Sequence, residues 1–171
     1  MGSEKRDLEL YIHVPFCVKK CQYCDFLSAP SSKEERQEYV KSLCRQLRTY
    51  GELAKAYHVV SIFVGGGTPS ILDKEQLLGI FDAVRDTFTV DGDAEITIEV
   101  NPGTVTEEKL KAYLKAGINR LSIGLQSAEN EELRLLGRIH TYEDFLSTYG
   151  LAREMGFRNI NVDLMSAIPK Q

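Results

Sequence analysis

Short apolar segments alternate with amphipathic segments along the whole chain, and this alternation constrains the fold more than any other feature. Five segments have the length and the β-branched composition of buried strands: residues 8–14, 59–65, 95–101, 120–126 and 160–167. Between them, apolar residues recur at three- and four-residue spacing, which predicts helices. The pattern therefore predicts an α/β domain of parallel strands joined by right-handed helical crossovers.

The sequence also indicates where these helices begin. Residues that cap helix N-termini precede four of the amphipathic segments, and two of them have the spacing of a capping box. They are Ser32 with Glu35, Asp73 with Gln76, Thr106, and Thr141. A shorter helix is predicted at residues 130–136, and Gly117 is a predicted helix stop. The pattern alone leaves an open doubly wound sheet and a barrel as alternatives, and both bind ligands at the carboxyl ends of their strands.

Composition excludes several classes of protein. The chain has 171 residues, of which 43% are hydrophobic and 27% charged, and this balance is typical of one globular domain. No apolar run approaches the roughly 20 residues that span a bilayer, and the first ten residues lack the apolar core of a signal peptide. A net charge of -4 without a long basic run argues against nucleic-acid binding. We therefore expect a cytoplasmic protein whose thiols stay reduced.

Three of the four cysteines, Cys17, Cys21 and Cys24, lie together at the spacing C-x3-C-x2-C. In a reducing compartment such a group binds metal more often than it forms disulfides. Structural zinc requires a fourth ligand, for which His13 is the nearest candidate. An iron–sulfur cubane held by three cysteines leaves one iron open to a small molecule, and we favour this interpretation. Cys44, on the apolar face of a predicted helix, is interpreted as a core residue.

Glycines and polar side chains cluster at the ends of the later predicted strands. The segment GGGTPS at 65–70 lets the backbone approach a ligand closely. Glu99 offers a carboxylate to a cationic amine, and Gln126 both donates and accepts hydrogen bonds. Arg138 can bind a carboxylate through two parallel hydrogen bonds. Asp163 lies inside an apolar strand, where a carboxylate needs a partner or a ligand.

Taken together, these segments resemble the radical S-adenosylmethionine (SAM) family of oxygen-independent coproporphyrinogen III oxidases and related heme chaperones. The matching motifs run in the family's order and are YIHVPFCVKKCQYCDF, FVGGGTPS, IEVNPGT, INRLSIGLQS, LGRIH and NVDLMSAIPKQ. The resemblance implies an incomplete (β/α)6 radical SAM barrel, of which this chain supplies five parallel strands. Because family members are longer, we expect residues 1–171 to be the N-terminal part of that core domain, without its sixth strand and without a C-terminal domain.

The resemblance also implies roles for individual residues. Cys17, Cys21 and Cys24 correspond to the ligands of a [4Fe–4S] cluster whose open iron binds SAM. The positions that correspond to SAM contacts are Tyr11, Tyr23, Gly66, Gly67, Thr68, Glu99, Gln126, Arg138 and Asp163. The chemistry implied is one-electron reductive cleavage of the SAM sulfonium. No residue is predicted to be catalytic in its own right.

One departure from the family pattern bears on the function. The oxidases carry a further cysteine two residues after the third cluster ligand, where this chain has Phe26. In this respect the chain resembles the heme-chaperone branch, which implies heme and a heme-accepting protein as partners. An oxygen-independent coproporphyrinogen III oxidase acting on a porphyrinogen is the alternative. A non-catalytic zinc-binding module is the second alternative.

Overall fold

In the computed structural model, which describes residues 5–169 and 171, five parallel strands form one sheet. The strands are β1 (Arg6–Val14), β2 (Tyr57–Gly66), β3 (Val90–Val100), β4 (Arg120–Gln126) and β5 (Asn159–Leu164). Their order across the sheet follows their order in the chain. A doubly wound sheet reverses its strand order partway, so this consecutive order is that of a barrel segment. The first four residues and Lys170, which belongs to the last matching motif, lie outside the described part.

Helices connect the strands, and five of them begin where the sequence predicts. In the described part of the chain they are α1 (Lys33–Thr49), α2 (Gly51–Ala54), α3 (Lys74–Thr87), α4 (Glu107–Lys115), α5 (Asn130–Leu135) and α6 (Tyr142–Glu154). Each of the four predicted N-caps accepts a hydrogen bond from a backbone N–H of the first turn, which confirms these predictions. Gly117 follows the end of α4, also as predicted.

The sheet has an apolar face and a polar face because side chains alternate along each strand. On β3, Ile98 and Val100 are buried in one hydrophobic core with the apolar sides of α1, α3, α4 and α6. The opposite face is polar, and its residues are aligned by the strand register. Glu99 pairs with Ser122, and Ser122 pairs with Asn161. Polar side chains therefore form a row across three neighbouring strands.

Two strands differ from their predicted ranges by three or more residues at one end. β3 begins at Val90 instead of at residue 95, because its irregular pairing with β2 extends into a stretch without apolar alternation. β5 ends at Leu164 and does not reach Ala167, whose φ of 58° is incompatible with a strand. Among the described residues, no helix combines the length and the apolar character needed to cross a membrane.

Candidate functional site

The carboxyl ends of the strands open onto a cavity of about 230 Å³. Its walls contain eleven of the twelve residues that the resemblance connects with metal or SAM: Cys17, Cys21, Tyr23, Cys24, Gly66, Gly67, Thr68, Glu99, Gln126, Arg138 and Asp163. The twelfth, Tyr11, lies on β1, is 62% exposed and is not one of the residues that line the cavity. Residues that are far apart in the chain therefore meet at one place, because they lie at the carboxyl ends of parallel strands or in the segments that follow these ends.

The loop that carries the cysteines is held against the sheet by backbone hydrogen bonds. The Cys17 N–H donates to the Ala29 carbonyl at 3.0 Å, which pairs the start of the loop with its end. The Gln22 N–H donates to the Leu136 carbonyl at 3.1 Å, which joins the middle of the loop to the end of α5. The three thiols consequently face the cavity from a backbone that is fixed at both ends and in the middle.

Two of the three sulfurs have a hydrogen-bond donor beside them. The Thr68 hydroxyl donates to Cys17 Sγ at 3.5 Å, and Arg138 Nη1 donates to Cys21 Sγ at 3.7 Å. Hydrogen bonds of this kind to ligand sulfurs are typical of the surroundings of iron–sulfur clusters. The cysteine set therefore fits an iron–sulfur cluster.

The geometry of the cysteines also bears on zinc. Among the described residues, no three His, Cys, Asp or Glu side chains converge closely enough to hold a single metal ion. In a cubane each thiolate binds its own iron, so three sulfurs need only face a shared cavity. His13, the candidate fourth zinc ligand, has both ring nitrogens in hydrogen bonds, to Tyr11 Oη at 3.3 Å and to the Leu27 carbonyl at 3.0 Å.

The glycine-rich turn after β2 brings backbone to the cysteine loop. Gly66 has a φ of 121°, a conformation that a residue with a side chain rarely adopts. At Gly67, a Cβ would lie 2.6 Å from the Phe16 carbonyl oxygen and 3.0 Å from Cys17 Sγ. The two glycines thus supply a turn and a close approach, and both line the cavity.

Two carboxylates line the same cavity in different surroundings. Glu99 Oε2 accepts a hydrogen bond from the Gly66 N–H at 2.9 Å. Burial raises the pKa of the Glu99 carboxyl, the Gly66 hydrogen bond partly opposes this, and the nearby Asp163 raises the pKa further. Asp163 accepts hydrogen bonds from Asn161 Nδ2 at 2.6 Å and from Ser122 Oγ at 3.3 Å. A partly buried carboxylate in such a cavity suits a cationic ligand group.

Arg138 lines the same cavity from the turn after α5. Its Nη2 donates to the Gly124 carbonyl at 2.8 Å and to Asn101 Oδ1 at 3.0 Å, while Nη1 lies 3.4 Å from Tyr23 Oη. Its Nε is buried and has no hydrogen-bond partner among the described residues. The guanidinium is therefore fixed in the cavity wall.

Sequence reasoning missed three polar residues of this site, namely Asn101, Ser122 and Asn161. Asn101 and Ser122 line the cavity, and Asn161 holds the carboxylate of Asp163. These three residues could have been found from the sequence, because polar residues there alternate with the apolar residues of the predicted strands. His140 is buried against the Leu125 carbonyl, and burial together with Arg138 lowers its pKa to about 4.

Residues 11–171 match the family model of the Radical SAM superfamily. The chain belongs to this superfamily. The radical SAM part of the predicted resemblance is thereby confirmed, and the superfamily implies a [4Fe–4S] cluster and SAM as cofactors.

Curated relatives match nearly all of this chain. A protein named heme chaperone HemW, from Escherichia coli strain K12, is 44% identical over 165 residues, which cover 96% of this chain and 44% of that protein. A Danio rerio protein named radical S-adenosyl methionine domain-containing protein 1, mitochondrial, is 35% identical over 169 residues, which cover 99% of this chain and 38% of that protein. The chain thus spans less than half the length of either relative.

A solved structure supports the fold. It is that of coproporphyrinogen III oxidase (HemN) from Escherichia coli, described as a radical SAM enzyme, and it superposes with a TM-score of 0.90 at 34% identity. The match covers 98% of this chain and 39% of the other. The prediction of five parallel strands from a radical SAM barrel is therefore confirmed.

Proposed function

We propose that this protein holds a [4Fe–4S] cluster on Cys17, Cys21 and Cys24, binds SAM beside it, and acts as a heme chaperone. One observation carries the cofactor part: the three thiols and the polar residues from four different strand ends line one cavity. The chemistry that such a cluster supplies with SAM is one-electron cleavage of the sulfonium.

The protein's own residues bind and orient SAM in this proposal. The Glu99 carboxylate takes the ammonium of the methionine moiety, and Gly66 and Gly67 let that moiety approach the backbone. The Arg138 guanidinium takes the carboxylate, for which its planar donors are suited. Gln126 and Asp163 bind the nucleoside of SAM through hydrogen bonds. Further contacts with SAM are made by Tyr11, Tyr23 and Thr68.

The heme-chaperone assignment is supported by relatives and by one side chain. Three bacterial relatives named heme chaperone HemW are 38–44% identical to this chain. Phe26 lines the cavity and is 65% exposed at the position where the resemblance puts an additional cysteine in the oxidases. Heme and a heme-accepting protein are accordingly proposed as partners. The structural likeness to the oxidase HemN favours coproporphyrinogen III oxidation as the second candidate function.

Domain organisation and compartment are also proposals. We propose that residues 1–171 form the N-terminal part of a longer protein, since the matched relatives extend well beyond the aligned region. We keep the cytoplasm as the proposed compartment, for which the bacterial relatives are the support. The relatives named mitochondrial make an organelle the alternative.

Anaerobic reconstitution tests the cofactor part of the proposal. The protein is loaded with iron and sulfide, reduced, and measured by electron paramagnetic resonance with and without SAM. We expect a signal from a reduced cluster whose shape changes when SAM is added. A protein that retains zinc and takes up no iron would instead support the zinc-binding module.

Two assays on the full-length protein separate the heme chaperone from the oxidase. Heme titration followed by absorbance is expected to give a stable complex, from which heme passes to a heme-free acceptor. Incubation with coproporphyrinogen III, SAM and a reductant is expected to give no sustained formation of protoporphyrinogen. Turnover of the porphyrinogen would favour the second candidate function.

A further inference from the structure

Asn101 lies between the two side chains that donate hydrogen bonds to cysteine sulfurs. Its Nδ2 donates to Thr68 Oγ1 at 3.1 Å, and its Oδ1 accepts from Arg138 Nη2 at 3.0 Å. Thr68 in turn donates to Cys17 Sγ, and Arg138 donates to Cys21 Sγ. One amide group thus connects the donors of two different sulfurs.

The chemistry of these groups fixes the direction of each bond. A guanidinium only donates hydrogen bonds, so the Asn101 carbonyl oxygen must face Arg138 and its NH2 group must face Thr68. A threonine hydroxyl has a single hydrogen. Because Asn101 donates to the hydroxyl oxygen, the Thr68 hydrogen remains directed at Cys17 Sγ, 3.5 Å away.

Asn101 is itself held in place through its backbone. Its N–H donates to Ser70 Oγ at 3.1 Å, and its carbonyl accepts from Thr104 Oγ1 at 2.6 Å. The two hydroxyls also bond each other at 2.6 Å. The amide is therefore anchored on both sides at the end of β3, and it can hold its two partners in fixed orientations.

We propose that Asn101 is a positioning residue for the reduction potential of the cluster, through its hold on Thr68 and Arg138. The inference rests on the proposed function, because it requires that Cys17 and Cys21 bind the cluster. Reduction adds negative charge that is shared by the ligand sulfurs, so donors aimed at sulfur stabilise the reduced form more than the oxidised form. Loss of these donors lowers the potential.

Redox titration followed by electron paramagnetic resonance tests the inference on the reconstituted full-length protein. Asn101→Leu and Thr68→Val are compared with wild type, and Thr68→Ser retains the hydroxyl. At a fixed ambient potential, we expect the ratio of reduced to oxidised cluster to fall about tenfold in Asn101→Leu and in Thr68→Val, which is about 59 mV for a one-electron couple. Thr68→Ser is expected to stay close to wild type.

Asn119→Leu is the matched control. Asn119 also makes two amide hydrogen bonds, accepting from the Ile96 N–H at 2.9 Å and donating to the Ala94 carbonyl at 2.8 Å, but it lies at the opposite end of the sheet. The same substitution there should leave the potential unchanged. If Asn101→Leu does not fold, Asn101→Ser takes its place.

The double variant Thr68→Val/Asn101→Leu provides the second measurement. Its shift should be smaller than the sum of the single shifts, because Asn101 acts partly through Thr68. Unchanged potentials in iron-loaded Asn101 variants would overturn the inference and leave the proposed function intact. Loss of iron from folded Asn101 variants would also overturn it, because a positioning residue alters the potential and not assembly. A wild-type protein that assembles no cluster would refute the proposed function itself, and the inference with it.

Discussion

The backbone of Gly67 packs directly against the sulfur of Cys17. A Cβ on Gly67 would lie 3.0 Å from that sulfur and 2.6 Å from the Phe16 carbonyl oxygen, closer than side-chain atoms normally approach. The Gly67 N–H also donates to the Val14 carbonyl at 2.8 Å, so the backbone there has little freedom to move away. The glycine-rich turn and the start of the cysteine loop therefore form one packed unit.

Gly67→Ala is expected to lose most of its iron. The new methyl group forces the Phe16–Cys17 backbone away from β2 and moves the first thiolate out of its place. Iron and sulfide per protein after anaerobic reconstitution measure the effect. Gly92→Ala is the control, because a Cβ at Gly92 meets nothing within 4 Å. Full iron content in Gly67→Ala would mean that this close approach is not needed for cluster assembly.

The features that follow from local sequence were predicted correctly. Helix starts were predictable because a capping box is complete within four residues, as at Ser32 and Asp73. The strands were predictable because burial on one face imposes an apolar pattern. The convergence of the motifs was predictable because parallel strands place all their carboxyl ends at one edge.

The features that depend on contacts between strands were not predictable in the same way. Ser122 and Asn161 are ordinary polar residues in their own segments, and only the register places Ser122 beside Glu99 and Asn161 beside Ser122. The role of Asn101 likewise depends on two partners 33 and 37 residues away in the chain. Tyr11 was predicted to belong to the site because its motif matches the family, but its side chain does not line the cavity.

Cysteine substitutions should separate the cluster ligands from the core cysteine. Cys21→Ala is expected to abolish cluster assembly, because two thiolates hold a cubane poorly. Cys44→Ala should keep its full iron content and lose about 1 kcal/mol of unfolding free energy. Cys44 lies on α1 and is only 9% exposed. Its thiol donates to the carbonyl of Gly79 on α3 at 3.5 Å. Equal loss of iron in both variants would contradict this division.

The affinity for SAM should depend on pH through Glu99. Burial raises the pKa of this carboxyl, and only the ionised form attracts an ammonium at full strength. The affinity should therefore weaken as the pH falls through the raised pKa, above the value of about 4.3 that is usual for glutamate. Glu99→Gln should bind about tenfold more weakly at neutral pH and lose this dependence. Calorimetry of the cluster-loaded protein measures the affinity for SAM and its dependence on pH. A Glu99→Gln variant with wild-type affinity would show that Glu99 does not bind SAM.

At the other end of the sheet, His58 joins three strands. Its Nδ1 lies 2.8 Å from the carboxylate of Asp91 on β3, and its Nε2 lies 2.8 Å from Asp7 on β1. Both ring nitrogens donate only when the imidazole is protonated. The hydrogen bond to Asp91 raises the pKa of His58, burial opposes this, and the hydrogen bond to Asp7 adds to the increase.

The stability of the fold should accordingly decrease as the pH rises past neutrality. Because the pKa of His58 is higher in the folded protein than in the unfolded chain, its contribution is complete below about 6.5, the usual value for histidine. It is lost as the pH rises through the raised folded pKa. Urea unfolding of wild type should give a lower free energy of unfolding at about pH 9 than at about pH 6. The decrease should be smaller in His58→Gln. Lys5 and Arg6 border this cluster. The same loss in both proteins would show that another group titrates.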